Sequence, residues 1–165
     1  MCYCKLKLKI ELMTSTFLKP VQLGLSVPEK TNTLVVCRAK KVFSFGISAE
    51  LYGSLYDHDG DVSKAMKCDI YSMNISRTWK EVMDEIQKIN PHYCISQEQI
   101  TEFCLLHANK LEFGKMTLFF VKEQGEVSVF YVIRVIDTGL TVGHDLNKNS
   151  TGVAQGRGFD IVFPN

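Results

Sequence analysis

Cys94 and His144 are the two residues whose types and spacing could do covalent chemistry. A cysteine two residues ahead of a helix cap lies near the positive end of the helix dipole, which favours the thiolate. The histidine ends a strand fifty residues later, followed by Asp145 and Asn147, where it could act as the base of a dyad. That layout would suit a cysteine-dependent hydrolase or transferase. Against it, Tyr93 and Ile95 crowd the thiol where a substrate would need small neighbours. A second constellation shares the same cysteine: His92-Tyr93-Cys94, then Cys104-Leu105-Leu106-His107. Two ligands three apart project from one side of a helix, and the His-x-Cys of the preceding loop could complete a tetrahedral zinc site. The paired Cys-x-x-Cys hairpin of common zinc modules is missing. Cys104 and His107 also share a stripe with Ile100 and Phe103, where a small thiol simply packs well. The expectation is therefore no cofactor, with zinc on these four residues as the alternative.

Three further motifs read as structure or surface. Asp57-His58-Asp59-Gly60-Asp61 has the alternating carboxylates of a calcium loop, but Val62 and Cys68 stand where an EF-hand needs glycine and a bidentate glutamate. A solvated acidic turn is the expectation. Gly152, Gly156 and Gly158 with Arg157 suggest a phosphate-cradling loop, but this one leads into a strand rather than a helix, so it reads as a flexible hairpin connection. Arg134 sits amid Phe130, Tyr131 and Val132 in a strand, as a charge on the wet face of a sheet would. Arg134 and Arg157 are accordingly the candidate binding-surface residues.

The elements that must position these groups are clearest in the second half of the chain. Ser96 and Gln99 form a reciprocal capping box, and Ile95 and Ile100 the hydrophobic staple around it, so a helix starts at Gln97. Thr78 and Glu81 form a second box. The helix it opens carries Trp79, Val82, Met83, Ile86 and Ile89 as an apolar stripe, and Asn90-Pro91 ends it. Strands are expected over 69–75, 116–121, 127–136, 140–144 and 159–163, most joined by tight turns. Shorter strands over 34–37 and 42–45 would make a hairpin, and Ser48 would cap a short helix. From Thr14 to Thr33 the chain, with Pro20, Gly24 and Pro28, reads as a loop. Residues 4–12 alternate lysines with Cys4, Leu6, Leu8 and Ile10 in a half-buried strand pattern; the alternative is an over-extended start before Met13.

The fold class that follows is α+β: an antiparallel β-meander with two helices packed on one face, plus a β-rich N-terminal portion. The division is 1–33, a strand and loop segment, and 34–165, one domain. Trp79, Val82, Ile86, Ile100, Phe103, Phe119, Val121, Tyr131, Ile133 and Val135 are the core candidates.

From about Phe45 to Phe163 the order of features resembles an uncharacterised family of short bacterial proteins. The likeness rests on the strand from Asp69, the helix from Trp79, the entry around Cys94 and Glu98, and the ending Asp160-Ile161-Val162-Phe163. Those relatives carry Leu-Cys-Pro-Ala-Glu where this chain has Tyr93-Cys94-Ile95-Ser96-Gln97, and tryptophans near an end that has none here. The resemblance implies no activity.

Composition narrows the function classes. Of 165 residues, 45% are hydrophobic and 22% charged, as in an ordinary soluble domain. Nineteen basic and eighteen acidic side chains give a net charge of +1, which does not support nucleic acid as a partner. No apolar run reaches the length of a membrane span. Lysines interrupt the place of a signal-peptide core, so the expected location is cytoplasmic and the six cysteines are expected to be thiols. The expected function is a small non-enzymatic binding or protein-interaction domain with an unknown protein partner, using an exposed sheet face or the loop 145–158. The cysteine-dependent hydrolase or transferase of Cys94 and His144 is the alternative.

Overall fold

A computed structural model describes residues 17–53, 56–73, 78–136, 139–145 and 158–165. The strand expected over 4–12, the Met13 alternative, the side chain of Trp79 and the loop residues 146–157, Arg157 among them, lie outside the described residues. In chain order the elements are β1 (Leu18–Val27), β2 (Gly46–Ile47), β3 (Met66–Met73), α1 (Trp79–Ile89), α2 (Gln97–His107), β4 (Met116–Glu123), β5 (Glu126–Ile136), β6 (Gly139–Asp145) and β7 (Phe159–Pro164). Among the described residues no helix is long and apolar enough to cross a membrane.

The strands form one seven-stranded sheet in the order β1-β3-β7-β4-β5-β6-β2. It is mixed, and so overturns the antiparallel meander expected from the sequence. β4, β5 and β6 do follow one another as antiparallel neighbours. The last strand, however, inserts between β3 and β4, antiparallel to the first and parallel to the second. At the far edge β2 pairs parallel with β6. Local turn signals specify neighbours joined by short loops; they carry no information about a strand that returns to the middle of the sheet.

The placement of the helices is also corrected. Successive strand residues point to opposite faces, and the two apolar cores follow that parity. Phe119, Val121, Phe130, Val132 and Val162 pack with Ile100, Phe103 and Cys104 of α2, together with Val35, Val36, Leu51 and Tyr56 from the segment after β1. Tyr71, Met73, Leu118, Phe120, Ile161 and Phe163 pack with Val82 and Ile86 of α1. One helix therefore lies on each face, and β4, buried from Thr117 to Val121, has neither side in water. Both helices start where their capping boxes place them: Glu81 N–H donates to Thr78 Oγ1, and Gln99 N–H donates to Ser96 Oγ.

β1 occupies part of the segment read as a loop. It tolerates Pro20 because it is the outermost described strand on its side and irregular, with register breaks on either side of Gln22. Gly24, at φ +69°, donates its N–H to Asp69 Oδ1 at 2.7 Å. The short strands expected over 34–37 and 42–45 are instead 3-10 and turn conformations, followed by β2. Parity also reverses on β5: Phe130 and Val132 are the fully buried positions, whereas Tyr131 and Ile133 are half-buried on the α1 side and Val135 is half-buried at the bulge between Arg134 and Ile136.

Candidate functional site

The sheet keeps the proposed dyad apart. His144 is paired with Phe130 across β5 and β6, so it lies on the α2 face. Cys94 packs against the core of the α1 face, near Lys122. Burial pushes its thiol up, and the charge of Lys122 only partly offsets this. That is opposite to the thiolate expected from the helix dipole. The N-terminal amides of α2 turn to the Ser96 box, while Cys94 is desolvated on the other side of the sheet.

The four zinc candidates are separated too. Cys104 is fully buried in the α2-side core, and its thiol is driven far up by desolvation. His107 Nε2 hydrogen-bonds the Ser26 carbonyl at 2.9 Å. His92 is exposed, in a loop where its backbone N–H donates to Asn90 Oδ1, and Cys94 faces the α1 side. Among the described residues no three His, Cys, Asp or Glu side chains come together as a metal site. The acidic turn is a clamp rather than a calcium loop: Arg38 Nε donates to Asp57 Oδ1 at 2.6 Å, and its Nη1 donates to Asp59. That bond holds the Asp57 carboxyl below its usual range. Arg134 is half-buried, and its Nη1 makes long hydrogen bonds to the carbonyls of Asn109 and Leu111. It fastens the 3-10 turn Ala108–Lys110.

Two polar clusters were not legible in the sequence. At the hairpin end of β4 and β5, on the α2 face, Tyr56 Oη lies 3.0 Å from His144 Nε2 and 3.2 Å from Ser128 Oγ, all three buried. Beside it, Gln97 Nε2 donates to the Tyr56 carbonyl and to Glu123 Oε1 at 3.0 Å. Two pure acceptors fix the orientation of that amide. His58 Nδ1 lies 3.1 Å from the Asp59 carbonyl, and its Nε2 lies 3.5 Å from Gln97 Nε2 and 3.9 Å from Glu123 Oε1. At the opposite end Lys115 Nζ reaches Ser72 Oγ at 2.7 Å, Asp160 Oδ1 at 2.8 Å and Glu112 Oε2 at 3.0 Å. A serine–lysine contact suggests nucleophilic chemistry, but that requires a neutral amine. Burial works against the charge of Lys115, yet the bonds to Asp160 and Glu112 outweigh it and raise its pKa. The group is an ammonium that neutralises buried Asp160.

A partly accessible apolar stretch runs along β5. On the α1 face, complete burial fades across the sheet from β4 to β5. Val127, Val129 and Tyr131 are only partly buried against the α1-side core, and Ile133 and Val135 are among the members of neither core. Met116, paired with Ile133 on the same face, is 39% exposed. Tyr131 lies across its partner Gly143: a Cβ there would stand 2.2 Å from both Cζ and Oη of the ring. The phenol thus fills the space of the absent side chain. Lys122, exposed and paired with Val127, puts a cation at the rim.

Comparisons with protein-family models, curated proteins and solved structures give no match to this chain.

Proposed function

We propose that this chain is a small, non-enzymatic protein-interaction domain of the cytoplasm, and that its contact surface is the part of the α1-side sheet face carried by β5. The observation that supports this reading is the row Val127, Val129, Tyr131 and Ile133, with half-buried Val135 at the bulge beyond it. The row is apolar throughout and partly accessible, whereas Phe130 and Val132, on the other face of the strand, are fully packed. An accessible apolar surface rimmed by charge is characteristic of an interaction site. The partner is a folded protein presenting a flat apolar patch, with a carboxylate at its edge to meet Lys122. The test is a photoreactive amino acid at Ile133, compared in the cells that make the protein with the same group at Lys88, on the outer side of α1. A discrete adduct from Ile133 that is lost on Lys122→Glu supports the proposal. Equal yields from the two positions, or an adduct indifferent to Lys122→Glu, would overturn it.

A further inference from the structure

No further inference is drawn: the strongest candidate, the cluster of Gln97, His58 and Glu123 beside Tyr56 at the hairpin end of the sheet, carries nothing, because Gln97 turns its amide nitrogen to the other members and nothing in the structure shows a ligand that would enter.

Discussion

Alkylation of Cys94 is expected to be slow at neutral pH, because burial raises its thiol and leaves little thiolate. The rate should keep climbing with pH beyond about 8.5, the ordinary thiol value, instead of levelling off there. Cys37, pushed up to about 11 by burial and then by Asp57, and Cys68, pushed up to about 12, should label later still. Mass spectrometry of the native protein across pH reads this order directly; fast labelling of Cys94 near pH 7 would contradict it. Lys115 gives the larger energetic test. Its side chain is 14% exposed and that of Asp160 3%. Lys115→Ala strands a buried carboxylate, at a cost of about 3 kcal/mol. Urea unfolding should show that loss, and adding Asp160→Asn should restore part of it. The sequence singled out Cys94 and His144 from type and spacing, but neither says which face of a sheet each will occupy. Tyr56, Ser128, Gln97 and Glu123 carried no signal as a group, since they come from elements scattered along the chain.

The helix starts were readable to the residue because a capping box is a local interaction. Thr78→Ala and Ser96→Ala should each cost about 1 kcal/mol, measured by chemical denaturation. The strand pairings were not readable in the same way. β5 is apolar at consecutive positions from Val129 to Ile133, and alternation cannot orient a run that is apolar on both sides. The expected core list therefore named Tyr131, Ile133 and Val135, whereas Phe130 and Val132 took the buried places. β1 was hidden by Pro20 and Gly24, which read as loop signals but fit an irregular outer strand. The fit of Tyr131 on Gly143 gives a prediction for the β5–β6 pair. Gly143→Val must displace the ring, destabilising the protein by about 2 kcal/mol. Tyr131→Ala in the same chain should recover much of that loss, and no recovery would argue against the contact.

At the level of the molecule, the sheet separates two cores with a helix on each side, and β7 in its middle joins residues distant in sequence. The acid-rich turn, Cys37, Cys68, Cys104 and Arg134 are tied into that architecture, and the half-buried β5 row is the surface proposed to meet a partner. The direct measurement is carbene footprinting of the purified protein, resolved residue by residue along β5. Strong modification of Ile133 and Val135, with Phe130 and Val132 protected, is the predicted result. Uniform protection along the strand would mean that both faces are covered, and would contradict the proposed interaction surface.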